Sequence, residues 1–347
     1  MIKISIVDIY SINDHGKTMG HYIPVANLYK SIFSSCSNFK IVGGPIYRKY
    51  IEANYLNILP FGHKEGGNFL INKLKLLANC FKAFNNSSDI FIVQHASLSI
   101  LFLWLALFKA KGKKLYLITY YNELIGINKI LFKFAKKKIT GILCPYKEVG
   151  ERYNLPYLVV PDYIYIPDNN NENFVSYEER IYDIGVFGLI SYQKGTLEVL
   201  QKLANTKFKV LITGKCPDPI LFSKINAIID SCNNITSNFG FLSFEEYKRN
   251  IQYSRFCILN YSTSYMQRSS GVVFDALFNN TPVIGHKSDA LDFILKQNLG
   301  FIYTDLNSCN FSSIITPENF YRYISNIHKF QETNSKAISV LKSFILK

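Results

Sequence analysis

The feature that most limits how this chain can fold is an alternation of short apolar runs with longer amphipathic stretches, and it occurs twice. In the first half, strand-like runs fall at residues 2–7, 39–42, 90–93, 115–119, 139–143 and 158–160. Helical patterns lie between them, near 21–33, 69–84, 98–109 and 128–137. Residues 161–180 interrupt the pattern: PDYIYIPDNNNENF carries two prolines and an asparagine tract and has no apolar period. Strands then resume at 182–187, 208–213, 235–239, 256–260 and 282–284. Helices are expected at 196–204, 219–231, 244–252, 271–278 and 290–297, with a last one over 318–346. Such alternation folds as a parallel sheet with helices on both faces. The expected fold is therefore α/β, with two Rossmann-like doubly wound domains facing a cleft. Residues 1–163 form the first, 164–180 a linker and 181–330 the second, while 331–347 form a helix that packs back on the first.

A chain of 347 residues suits two domains of ordinary size, and 48% hydrophobic content excludes wholesale disorder. The seven cysteines are scattered, form no CxxC pair and have no zinc-site spacing, so no metal site is expected. They read as small buried hydrophobes of a reducing compartment. The opening MIKISIVDIY holds an acidic residue and reads as a first strand rather than a signal peptide. The longest apolar run, 98–108, is too short to span a bilayer. A cytoplasmic protein is expected.

Charge is unevenly placed. Residues 1–165 hold 21 Lys and Arg against 9 Asp and Glu, whereas the rest of the chain is nearly balanced. The first half should meet an anionic partner. Lysines 129, 133, 136, 137 and 138 interleave with Ile, Leu and Phe in a basic amphipathic helix, which suits the inner face of a cell membrane. Lys73, Lys75 and Lys82 extend that patch. No aromatic stacking motif or groove-reading module accompanies the basic residues, so nucleic acid is not expected.

In open parallel sheets ligands bind beyond the carboxyl ends of the strands. The segment Arg268-Ser269-Ser270-Gly271 through Asp275 sits there, opening a helix after a strand and a polar loop. Ser269 and Ser270 are N-cap residues, and Gly271 lets a ligand approach the backbone. Free N–H groups at a helix start favour a diphosphate. Arg268, Gly271 and Asp275 fall on one helix face, a cation beside the diphosphate and a carboxylate one turn deeper for ribose hydroxyls.

Further along the second half come Phe187-Gly188, Gln193-Lys194-Gly195, Leu211-Ile212-Thr213-Gly214, Phe239-Gly240-Phe241-Leu242 and Thr281-Pro282-Val283-Ile284-Gly285. As an ordered set over residues 182–300 they resemble the nucleotide-sugar-binding half of GT-B glycosyltransferases, especially the retaining family 4 group. The resemblance implies that Lys194 neutralises the donor diphosphate and that Asp275 is the second acid of the family's Glu-x7-Glu pattern, holding the ribose. Gln267 stands where the first acid would contact the donor sugar. The family's arginine after the first glycine is missing, Leu189 occupies that region, and Arg268 is the candidate replacement.

In the first half, Asn13 to His21 follow the first strand and include Gly16, which in similar enzymes belongs to a loop that meets the donor phosphate or the acceptor. Gly16-Lys17-Thr18 is not a P-loop, because Ser11 stands where the first glycine would be. His95 and Glu123 each follow a strand, and together with Asp14 they are the acid–base candidates. The resemblance implies sugar transfer from a UDP- or GDP-type donor to a polysaccharide or lipid-diphosphate-linked acceptor, without a metal ion or a further cofactor. A retaining enzyme needs no protein base, whereas an inverting one would use Glu123, Asp14 or His95. A nucleotide-sugar epimerase of this architecture and a non-catalytic nucleotide-sugar-binding protein are the alternatives.

Overall fold

The computed structural model describes residues 1–10, 22–62, 68–94, 98–108, 113–120, 124–167, 174–240, 242–261 and 270–347. They form two compact units, one of Met1–Ile166 with Lys336–Lys347 and one of Pro167–Ser335. The division falls at Ile166/Pro167, so residues 174–180, read from sequence as linker, belong to the second unit.

The first unit runs β1 (Lys3–Val7), α1 (Tyr22–Phe33), β2 (Asn38–Gly43), β3 (Leu56–Ile58), α2 (Phe69–Phe84), β4 (Ile90–Val93), α3 (Leu98–Leu107), β5 (Lys114–Ile118), α4 (Gly126–Ala135), β6 (Gly141–Cys144), α5 (Lys147–Glu151) and β7 (Tyr157–Val159). All strands pair in parallel in the order β3-β2-β1-β4-β5-β6-β7. The central strands are unbroken apolar runs because helices cover both faces, and Ile90–Val93 and Gly141–Cys144 are buried at every position. One face carries a core built from α2, α3 and α4, including Phe84, Trp104 and Phe132. The other carries α1 through Ile23, Tyr29 and Phe33. Asn68 starts α2 by accepting from the N–H groups of Leu70 and Ile71, at 3.0 and 3.2 Å.

The second unit runs β8 (Tyr182–Phe187), α6 (Thr196–Leu203), β9 (Val210–Gly214), α7 (Pro219–Asp230), β10 (Ile235–Phe239), α8 (Phe244–Gln252), β11 (Ser254–Leu259), α9 (Gly271–Phe278), β12 (Val283–His286), α10 (Asp292–Lys296), β13 (Gly300–Tyr303), α11 (Phe311–Ile314) and α12 (Pro317–Ser335). Its parallel sheet has the order β10-β9-β8-β11-β12-β13. The order reverses between β8 and β11, the switch point at which such sheets take ligands.

The single terminal helix expected over 318–346 is instead two, because α12 is followed by α13 (Ala337–Leu346). The break has a packing reason. α12 buries Phe320, Ile324 and Ile327 in the second unit, whereas Leu341 and Ile345 of α13 are buried in the first. The short strands β3 and β13 were not anticipated, and each lies at one edge of its sheet. Among the described residues no helix is long and apolar enough to cross a membrane.

Candidate functional site

The second unit brings its glycine-bearing loops together at the switch point. Gly188 follows β8 with φ +88°, and a Cβ there would meet Val272 of α9 at 2.8 Å and the Lys194 ammonium at 3.6 Å. Gly214, ending β9 at φ +144°, lies so close to Gly188 that a Cβ would overlap its carbonyl oxygen at 1.8 Å. Backbone packs directly on backbone here, which only glycine allows.

Lys194 ends a short 3₁₀ turn (Tyr192–Lys194), and Gly195, at φ +57°, turns the chain from it into α6. Asn260, just past β11, holds that turn. Its amide donates to the Gly195 carbonyl at 3.3 Å, and its own carbonyl accepts from the Tyr303 hydroxyl at 2.9 Å. Burial pulls the Lys194 ammonium below the ordinary lysine range, and the proximity of Cys257 and of the Asp275 carboxylate opposes that shift.

Asp275 sits on the second turn of α9, half-buried. Burial raises its carboxyl pKa to about 6, against the Tyr247 hydroxyl and the Lys194 charge, which both favour the carboxylate. Tyr247, on α8, donates to Asp275 Oδ2 at 3.3 Å. Burial first, and then the Asp275 charge, hold the phenol of Tyr247 well above its usual pKa, so it remains a donor. Cys257, fully buried on β11, is near enough to feel both Lys194 and Asp275. Burial drives its thiol pKa up, which makes it a neutral wall of the site rather than a nucleophile.

At the start of α9 the structure corrects one expectation. Ser270 is the N-cap residue, yet its side chain caps no helix N–H. The hydroxyl is bonded instead to the hydroxyl of Tyr261, both side chains being buried. The Ser270 hydroxyl thus leaves the N–H groups of the first turn to other partners. Tyr261 is fixed a second time, since Nδ1 of His286 lies 3.1 Å from its carbonyl and Nε2 of the same ring lies 3.1 Å from the Thr304 carbonyl. Gln267, Arg268 and Ser269 lie outside the described residues, in the stretch that Tyr261 and Ser270 bracket.

In the first unit the sheet order reverses between β1 and β4. Asp14, Gly16 and His95, in the segments that follow those two strands, lie outside the described residues, as does Glu123 after β5. What is described there is a buried polar cluster. Asp8 accepts from the Tyr47 hydroxyl at 2.8 Å and from the Tyr10 N–H at 3.1 Å. Gln94 donates to the Tyr47 oxygen at 3.2 Å and to the Tyr22 carbonyl at 3.1 Å, while its own Oε1 is buried with no hydrogen-bond partner among the described residues. Among the described residues no group of three or more His, Cys, Asp or Glu could hold a metal ion.

Of the candidates Gly188, Lys194, Ser270, Gly271 and Asp275, the structure places Gly188 beside Val272 and Lys194 and Lys194 near Asp275, with Ser270 and Gly271 at the start of the helix that carries Asp275. Sequence reasoning passed over Tyr247, Cys257, Asn260, Tyr261 and His286. Asn260 ends an expected strand at the switch point, which is a usable signal. Tyr247 reaches Asp275 from a separate helix 28 positions away, and no local pattern announces that.

No protein-family model matches the sequence, and no curated protein matches it significantly. Solved structures do resemble it. A glycosyltransferase from Rickettsia africae superposes with a TM-score of 0.65 at 14% identity, covering 100% of this chain and 99% of that one. HepE from Anabaena, in complex with UDP and glucose, gives 0.60 at 11%, with 99% and 98% covered. The lipopolysaccharide outer core galactosyltransferase WaaB gives 0.58 at 13%, with 99% of each chain covered. The fold is thus the GT-B arrangement of two Rossmann-like domains in one chain.

Proposed function

We propose that the protein is a glycosyltransferase that moves a sugar from a nucleoside-diphosphate donor to a glycan or lipid-diphosphate-linked acceptor. In this proposal it retains anomeric configuration, as in family 4, and requires no metal ion. The observation that carries the reading is the meeting of a half-buried cation, Lys194, with the carboxylate of Asp275 on α9, whose start the Ser270 side chain does not cap, at one switch point. The likeness of fold to HepE, seen with UDP and with UDP-glucose, and to a galactosyltransferase supports it.

Each group has a task that suits its chemistry. The ammonium of Lys194 and the α9 N–H groups neutralise the diphosphate. Asp275, held by Tyr247, accepts from the ribose hydroxyls. Gly188, without a side chain, leaves room for the donor above β8. Arg268 supplies a second cation and Gln267 bonds the donor sugar. In the reaction the bond between the anomeric carbon and the diphosphate oxygen breaks. The acceptor oxygen bonds the same face of that carbon and passes its proton to the departing oxygen. The rate then depends on how well the leaving charge is stabilised, so Lys194 dominates kcat.

Isothermal titration with UDP, GDP, ADP and CMP in the presence of a chelator tests this. One nucleoside diphosphate should bind. Lys194→Ala and Asp275→Asn should each weaken it by roughly tenfold to a hundredfold, the value of one charge-assisted contact. Binding that neither substitution touches would sink the proposal, as would the absence of binding by all four.

A further inference from the structure

On one face of the first unit, α2 and α4 both pack against α3, and each turns large apolar side chains outward. Phe69, Leu70 and Leu74 on α2, and Ile127, Ile130 and Phe134 on α4, are 59–70% exposed. These are not gaps in the core, because α2 already buries Leu76, Cys80 and Phe84, and α4 buries Phe132 and Ala135. Ile127, Ile130 and Phe134 recur at three and four positions, which makes a second apolar stripe beside the buried one. Lys129 and Lys133 border it, and Lys136 and Lys137 follow in a 3₁₀ turn whose last residue, Lys138, instead donates to the carbonyls of Leu105, Ala106 and Phe108 at the end of α3. Lys73, Lys75 and Lys82 lie along α2. Neither 69–84 nor 126–138 contains an acidic residue.

From this juxtaposition we infer that the α2–α4 face docks on an anionic lipid bilayer. The exposed rings and branched chains enter the boundary between headgroups and acyl chains, while the lysines meet the phosphates. The charge selects this occupant over a second copy of the chain, since a twofold contact through the face would set lysines against lysines with no carboxylate to offset them. Exposed aliphatic chains likewise have no use on a nucleic acid. The inference is independent of the proposed sugar transfer, which concerns the other unit.

Flotation of the full chain with vesicles tests it, using phosphatidylglycerol mixed with phosphatidylcholine against phosphatidylcholine alone. The protein should float only with the mixed vesicles, and increasingly so as salt falls. Ile127→Asp with Ile130→Asp should cut partitioning by at least roughly tenfold, the scale of losing two inserted side chains. Lys129→Gln with Lys133→Gln should reduce it and flatten the salt dependence. All four side chains are exposed or border solvent, so melting temperature should hold, and Phe69→Asp with Leu74→Asp repeats the test on the other helix. Failure of the native chain to float with anionic vesicles at low salt overturns the inference. So does flotation indifferent to the aspartate variants, or sedimentation showing self-association that the same variants abolish.

Discussion

Asp275 is the residue at which stability and the proposed function pull apart. Its carboxyl pKa rises from 3.8 to about 6 on folding, because burial penalises the charged form. The folded chain therefore binds more protons than the unfolded one across that window, so stability falls as pH rises from 3.8 to about 6 and the deficit persists above it. Asp275→Asn removes the penalty and should stabilise the ligand-free protein at neutral pH by on the order of 2 kcal/mol, read as a higher melting temperature. The same change should weaken nucleotide binding. In the native chain, nucleotide affinity should fall as pH drops below about 6 and Asp275 takes up a proton, and Asp275→Asn should flatten that dependence. A melting temperature lowered at neutral pH, or affinity that is level through this range, would contradict the assignment.

Lys194 and Asp275 were legible because their signals are local: a Lys-Gly turn after a strand, and a carboxylate one turn into a helix that opens on Ser and Gly. The clasp between Tyr261 and Ser270 was not, because a serine at a helix start is read as the cap. Only the fold shows that its hydroxyl is bonded elsewhere.

At the scale of elements, the strands and helices that set the two sheets were readable from their periods. The edge strands β3 (LNI) and β13 (GFIY) were passed over, although β7 and β12 of the same lengths were read; length alone does not separate them. The segment before β8 shows a different kind of misreading. Prolines and asparagines made 164–180 look like linker, yet Arg180 is buried and its guanidinium donates to four oxygens of its own unit. Those are the carbonyls of Val175 at 3.1 Å, Ser254 at 2.7 Å and Asn280 at 2.8 Å, and the Thr281 hydroxyl at 2.9 Å. It also lies over the Phe320 ring, 4.7 Å from the centroid. No carboxylate among the described residues forms a salt bridge with it, and burial lowers its pKa to about 9. Arg180→Ala should cost about 3 kcal/mol, because it leaves several buried oxygens without donors. Arg180→Lys should recover only part of this, since an ammonium cannot span the same oxygens. Urea unfolding of the two variants checks the order; a lysine variant as stable as the native chain would mean that the charge alone matters, and losses equal to alanine's that it counts for nothing.

At the scale of the molecule, the first unit is assembled from two separate parts of the chain. α13 contributes Leu341 and Ile345 to its core. The Tyr116 hydroxyl donates to the Phe344 carbonyl at 3.1 Å, and the two rings lie 5.6 Å apart. Deleting residues 336–347 should cost the first unit at least about 4 kcal/mol, from two fully buried aliphatic side chains at roughly 2 kcal/mol or more each. In calorimetry with a bound nucleoside diphosphate, the transition that the nucleotide raises should stay in place while the other falls. Two unmoved transitions would show that α13 is dispensable.

Because α13 lies beyond the whole of the second unit, the two units cannot mature in the order of their amino ends. A ribosome adding about 5–20 residues per second takes roughly ten to thirty seconds to pass from Ile166 to Lys336. Throughout that interval the nascent first unit holds an uncovered apolar face around Tyr116 while its neighbour completes itself. The part of the protein made first is thus the last to be finished, and it is the part a chaperone would have to guard.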